Sequence, residues 1–152
     1  TVNVLFVCTG NTCRSAIAEA LLASAGRDAG LGNVLVGSAG IGAWDGSPAS
    51  EGAYLVMLEQ GIDLSGHRAR LLTRELVEQS DLILTMARSH LSRARELGAG
   101  ARAHLLGEYA GRTGGQAEIA DPYGADLEQY REVYRELVNL MPGVVARLSG
   151  AR

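Results

Sequence analysis

The sequence predicts an α/β fold: one doubly wound domain over residues 1–152, with a four-stranded parallel sheet carrying helices on both faces. Three observations lead there. Short apolar runs rich in β-branched residues alternate with stretches whose apolar residues recur at helical spacing. A strand, a helix and a second strand follow one another within residues 2–40, a βαβ arrangement whose strands run parallel. The chain has 152 residues, 47% of them hydrophobic, which is enough for the core of one ordinary domain.

Val2 to Val7 is nearly all apolar and reads as a buried strand that stops at Cys8-Thr9-Gly10-Asn11. Ile17, Ala18, Leu21, Leu22 and Ala25 then recur at helical spacing, which makes Ser15 the expected cap of an amphipathic helix. Gly30 and Gly32 break that pattern, and Val34-Leu35-Val36 is a second strand ending in Gly37-Ser38-Ala39-Gly40. A glycine-rich loop carries Trp44, and Pro48 is expected to start a helix that Gly61 ends. Thr73 caps a short helix, Leu82 to Met86 forms the third strand, and Arg88 to Leu97 is a charged helix stopped by Gly98. Ala103 to Leu106 is the fourth strand, and Gly107 to Gly124 is a glycine-rich stretch containing Asp121-Pro122-Tyr123. A long helix begins near Asp126, and Pro142-Gly143 should kink or interrupt it.

In such sheets ligands bind beyond the carboxyl ends of the strands, where the strand order reverses. Cys8 follows the first strand at that edge, and the loops bearing Trp44, Arg88 and Asp121 follow other strands onto the same rim. A tight loop between a strand and a helix start gathers backbone N–H groups and the positive end of a helix dipole, which makes an anion site. Cys8 lies at its floor, and Arg14 closes it with a planar fork suited to a phosphate-like oxyanion. The thiolate is the nucleophilic form of cysteine, and a helix N-terminus beside a cation favours it.

Each candidate also has a plain structural alternative. Cys8 could be packed inertly at a strand end, but a cysteine separated by five residues from Arg14-Ser15, after a buried strand, favours the reactive role. Ser15 donates a hydrogen bond to the thiolate, caps the helix, or does both. Gly10 and Asn11 tolerate the positive φ that a curled loop demands. Cys13 either reaches Cys8 in a reversible, protective disulfide or is a small buried residue. Asp-Pro is a common turn element, while an acid opposite the thiolate is what a leaving group needs, and Asp121 is the best-placed candidate. Tyr123 and Trp44 wall the entrance or cover the core edge.

Fourteen basic against 17 acidic residues, a net charge of −3, argue against nucleic acid or an anionic membrane as main partner. No apolar run is long enough to span a bilayer and no signal-like start is present, so the expectation is a soluble, cytoplasmic protein. His67, His90 and His104 are scattered, without ligand spacing to cysteine or carboxylate, and neither a metal nor another cofactor is expected.

The stretch Cys8-Thr9-Gly10-Asn11-Thr12-Cys13-Arg14-Ser15 resembles the phosphate loop of the low-molecular-weight protein tyrosine phosphatase family, and Asp121-Pro122-Tyr123 resembles its general-acid loop. Ser38-Ala39-Gly40 and His67-Arg68-Ala69-Arg70 also look like family segments, so the resemblance spans essentially the whole chain. It implies a phosphatase domain without metal or cofactor, whose partners are phosphorylated protein substrates and inorganic phosphate or similar oxyanions. By the same resemblance Cys8 is the nucleophile, Arg14 binds the phosphoryl group, Asp121 is acid then base, and His67 supports Asn11. Thr9, Gly10, Asn11, Thr12, Cys13, Ser15 and Tyr123 are the implied substrate contacts. Ala16 stands where the family commonly has proline.

Thr12 divides the family. Tyrosine-directed members usually carry an apolar residue at this position, and this chain resembles the bacterial protein-arginine phosphatases in having threonine. Phosphoarginine brings N–H donors that a threonine hydroxyl can accept, and a buried donor left unpaired costs ~1–3 kcal/mol. The expectation therefore leans to phosphoarginine, with phosphotyrosine as runner-up. Arsenate reduction on the same scaffold passes through further cysteines, and none follows Cys13. A phosphocarrier domain would have less use for Arg14 and Asp121, and turnover of any aryl phosphate would exclude a catalytically silent module that only binds phosphorylated side chains.

Overall fold

The structure, a computed structural model, describes residues 1–112 and 117–150. Strand β1 (Val2–Cys8) pairs with β2 (Val34–Gly40) on one side and β3 (Leu82–Thr85) on the other, and β3 pairs with β4 (Ala103–Leu105). All pairings are parallel and the order is β2-β1-β3-β4, so the reversal falls between β1 and β3. This is the expected α/β sheet.

The period of two in β1 sorts its side chains between two layers. Val4, Phe6 and Cys8 join Ile17 and Leu22 of helix α1 (Arg14–Asp28), with Val56 and Met57 of α2 (Glu51–Glu59). Leu5 and Val7 face the other way, toward Val77 of α3 (Arg74–Gln79) and Ala94 of α4 (Arg88–Glu96). Burial on both faces explains why the strand reads as a continuous apolar run rather than an alternating one.

Several boundaries differ from expectation, each for a tertiary reason. Strand β2 does not stop at Val36 but pairs through Gly37, Ser38, Ala39 and Gly40 with Leu5 to Cys8. Gly40 is glycine because a side chain there would strike the Thr9 carbonyl, so a residue that reads as a loop signal permits close packing instead. Helix α2 starts at Glu51 rather than Pro48, since the Ala53 amide donates to Ser50 Oγ at 3.4 Å. Thr73 does cap α3, accepting from the Leu76 amide at 3.2 Å. A one-turn helix, α5 (Leu106–Tyr109), follows β4 directly and is too short to carry a readable period. The glycine-rich stretch expected from Gly107 to Gly124 crosses residues 113–116, which lie outside the described residues.

The last helix, α6 (Leu127–Gly150), runs unbroken through Pro142. A proline inside a helix costs ~3 kcal/mol or more, but it sits here among Leu137, Leu140, Met141, Val144 and Leu148, all buried. Each such side chain contributes roughly 1.5–3 kcal/mol when buried, which offsets the defect. Gly143 lets this helix press against the backbone of Ala110. No helix among the described residues is long and apolar enough to cross a membrane.

Candidate active site

The loop from Cys8 to Ser15 joins the end of β1 to the start of α1 and is organised by Asn11. This residue is fully buried and holds φ at 57°, a left-handed conformation that asparagine tolerates better than most residues. All four of its polar atoms are engaged. Its amide donates to Cys8 Sγ at 3.3 Å, and its carbonyl accepts from His67 Nε2 at 2.6 Å. Its side-chain oxygen accepts from the Arg70 amide at 2.9 Å, which fixes the orientation of the carboxamide. Nδ2 must therefore donate to Ser15 Oγ, 2.8 Å away.

Ser15 Oγ lies 2.9 Å from Cys8 Sγ, and with one lone pair occupied by Asn11 its single proton is available to the sulfur, the direction a thiolate requires. Cys8 Sγ thus has two donors within reach, the Asn11 amide and the Ser15 hydroxyl. Ser15 does not cap the helix. Helix α1 begins one residue earlier, at Arg14, and Cys13 at the N-cap position supplies no side-chain bond. The first-turn amides of such a helix lack intrahelical acceptors and are available to an anion.

Arg14 is only 4% exposed. Its Nη1 donates to the Ile119 carbonyl at 2.8 Å, while Nη2 lies 3.5 Å from Thr9 Oγ1 and 3.6 Å from Asp121 Oδ2. Its Nε has no hydrogen-bond partner among the described residues. A buried donor on a guanidinium is costly to leave unpaired, and an oxyanion held by Nε and Nη2 would satisfy it.

Asp121 belongs to a loop fastened at its root. The Ile119 amide donates to the Met86 carbonyl at 2.8 Å, and Glu118 Oε2 accepts from the Arg88 amide at 2.6 Å, capping α4 from outside the helix. Beyond these bonds the loop is open, and the Asp121 side chain is 49% exposed, with Oδ1 accepting from the Tyr123 amide at 3.0 Å.

Cys8, Thr9, Gly10, Thr12, Cys13, Arg14, Asp121 and Tyr123 line one cavity of about 460 Å³. Asn11 and Ser15, also expected among the substrate contacts, lie buried beneath it and act on Cys8 instead. Trp44 and Tyr123 line the same cavity with their side chains largely exposed, 83% and 73%. Both cysteines are free thiols, and Cys13 Sγ is engaged by Ser50 Oγ at 3.1 Å and by the hydroxyl of Tyr130 at 3.6 Å. Burial pushes the Tyr130 phenol up to about 12, so that hydroxyl keeps its proton. Among the described residues no three His, Cys, Asp or Glu side chains gather as a metal site requires.

Sequence reasoning missed His90. Its ring is buried, and its Nε2 lies 2.9 Å from Thr9 Oγ1. Burial first, and the Arg14 charge second, lower its pKa to about 4. The available signal was the pair His90 and Ala94, the inward positions of an otherwise charged helix that follows β3 onto this rim.

Comparison with known proteins adds an independent finding. The model of the family described as low molecular weight phosphotyrosine protein phosphatase matches residues 3–151. The protein-arginine-phosphatase of Bacillus subtilis is 37% identical over 99% of both chains. A probable low molecular weight protein-tyrosine-phosphatase, EpsP of Ralstonia nicotianae, is 43% identical over 85% of this chain and 83% of its own. Among solved structures, an active-site variant of the YwlE arginine phosphatase carrying a phosphorylated serine superimposes with a TM-score of 0.93. It is 35% identical and covers 99% of this chain and 98% of that one.

Proposed function

Because this chain belongs to the low molecular weight phosphotyrosine protein phosphatase family, we propose that it hydrolyses phosphorylated protein side chains through phosphocysteine, with phosphoarginine as the preferred substrate. The observation that carries the chemistry is the pairing of a doubly hydrogen-bonded Cys8 sulfur with a buried arginine whose Nε lacks a partner.

In the first step the Cys8 thiolate attacks phosphorus, an S–P bond forms and the P–N or P–O bond to the side chain breaks. Arg14 and the loop amides hold the phosphoryl oxygens, and Asp121 gives its proton to the departing nitrogen or oxygen. That proton matters because a phenol, with a pKa of ~10, and a guanidine, above ~12, leave poorly as anions. In the second step water attacks phosphorus and Asp121 takes its proton. The S–P bond breaks, phosphate departs, and the thiolate is restored.

Two observations bear on the substrate. Thr12 places a hydroxyl on the cavity wall, an acceptor for guanidinium N–H groups, which supports the arginine reading. The exposed rings of Trp44 and Tyr123 suit any planar group, so they support phosphotyrosine as the second reading. Two free cysteines fit a reducing compartment, and we place the protein in the cytoplasm.

The deciding measurement is kcat/KM on phosphoarginine and phosphotyrosine peptides for the natural protein and for Thr12→Ile, with Cys8→Ser as the inactive control. Thr12→Ile should shift the ratio toward tyrosine by up to about a hundredfold, the worth of one buried unpaired donor. An unchanged ratio removes the case for arginine. Full activity in Cys8→Ser removes the mechanism.

A further inference from the structure

Arg14 has two neighbours at Nη2, and they differ in kind. Asp121 Oδ2, 3.6 Å away, belongs to a half-exposed carboxyl that alternates between acid and base in the proposed reaction. Its attraction for the guanidinium is therefore lost whenever it carries a proton. Thr9 Oγ1, 3.5 Å away, is neutral throughout. It is itself held by His90 Nε2 at 2.9 Å, from a ring only 1% exposed.

The polar inventory fixes the direction of these bonds. Arg14 Nη2 can only donate. His90 Nδ1 is buried without a hydrogen-bond partner among the described residues. A proton there would be an orphaned N–H, the rarer and costlier defect, whereas a proton on Nε2 leaves Nδ1 as an unfilled acceptor. The ring therefore donates through Nε2 to Thr9 Oγ1, which also accepts from Arg14. The charged groups that act on the ring are Arg14 from α1 and Asp121 and Glu118 from the acid loop. Burial and Arg14 prevail over the two carboxylates and keep the ring neutral above about pH 4, so no second cation arises beside the guanidinium.

We propose that Thr9 and His90 are a positioning pair for the phosphoryl-binding arginine, holding Arg14 Nη2 independently of the protonation state of Asp121, so that Nε and Nη2 face the oxyanion through both chemical steps. This inference rests on the phosphatase reading.

The test uses Thr9→Val, which keeps the shape and removes the oxygen, Thr9→Ser, which keeps the oxygen, and His90→Phe. Inorganic phosphate affinity is measured by calorimetry, kcat and KM on an aryl phosphate, and the melting temperature alongside. Thr9→Val should weaken phosphate binding and lower kcat/KM about tenfold, the size of one hydrogen bond to a charged group. Thr9→Ser should restore both to within about twofold, and adding His90→Phe to Thr9→Val should cost little more because both act through one chain of bonds. Wild-type phosphate affinity and turnover in Thr9→Val overturn the proposal, as does a melting-temperature loss with phosphate affinity intact. Multiplying effects in the double variant overturn the role of His90. If His90→Phe does not fold, the two Thr9 variants decide alone. A natural protein that neither binds phosphate nor turns over the aryl ester would instead sink the phosphatase reading.

Discussion

The two loops that meet at the cavity are built on opposite plans. In the loop from Cys8 to Ser15, Asn11 commits every polar atom it has, and Cys8, Cys13, Arg14 and Ser15 are all buried around it. In the loop from Ala117 to Asp126 only the root is fastened, by Glu118 and Ile119, and Asp121 and Tyr123 stand in the open. The difference follows the proposed chemistry. A cradle for phosphoryl oxygens stabilises charge best when its donors need no rearrangement at the moment of reaction. A proton donor that must also accept water's proton has to stay reachable by substrate and solvent. The first loop should therefore tie function to stability, and the second should not.

The largest effect expected from this contrast is in rate alone. Asp121→Asn should lower kcat by about 10²–10⁴, the usual range for a removed general acid. Its ion pair with Arg14 is 3.6 Å long and half exposed on the Asp121 side, so its loss should cost less than about 1 kcal/mol. Phosphate affinity and melting temperature should stay near those of the natural protein. A large loss of either would place Asp121 in the structural framework.

Asn11→Ala should show the opposite behaviour. It orphans the Arg70 amide and one bond of Ser15, and it puts alanine at φ 57°. Two buried bonds at ~1–3 kcal/mol each, plus ~1–2 kcal/mol for the left-handed backbone, predict a total near 3–5 kcal/mol once partial relaxation is allowed. Melting temperature, phosphate affinity and kcat/KM should fall together, the last by roughly ten- to a hundredfold because Ser15 is no longer oriented toward the sulfur. A rate loss without a stability loss would break the comparison.

What could be read in the sequence follows from how local each signal is. Cys8 to Ser15 was legible because strand, loop and helix start are contiguous, and Asp121 because an Asp-Pro turn falls on the rim that parallel sheets use. His90 was not, since its partner Thr9 is 81 residues away and its helix reads as a solvated charged face. Nor could the Arg70 amide be matched to Asn11 across 59 residues. Gly37 to Gly40 and Ser15 misled for a related reason. Glycine and serine have strong local meanings as turn and cap, and here close packing against the Thr9 carbonyl and a bond to sulfur override them.

The smallest effect sharpens the comparison at the one place where the loose loop is held. Glu118 reaches from an exposed position to the Arg88 amide at 2.6 Å, so one carboxylate both caps α4 and anchors the segment that carries Asp121. Its neighbour Ile119 is bonded to Met86 and to Arg14, and after it the next bond within the loop is the Asp121 turn itself. Glu118→Ala should cost about 0.5–2 kcal/mol through the lost cap. It should lower kcat about three- to tenfold, because a misplaced proton donor costs rate even when it remains nearby. Glu118→Gln keeps an acceptor for the Arg88 amide and should recover most of the rate. Phosphate affinity should not change in either variant, since the cradle takes none of its bonds from Glu118. If affinity falls in proportion to kcat, the two loops are mechanically coupled through Arg14 and Ile119, and the separation of binding from proton transfer does not hold.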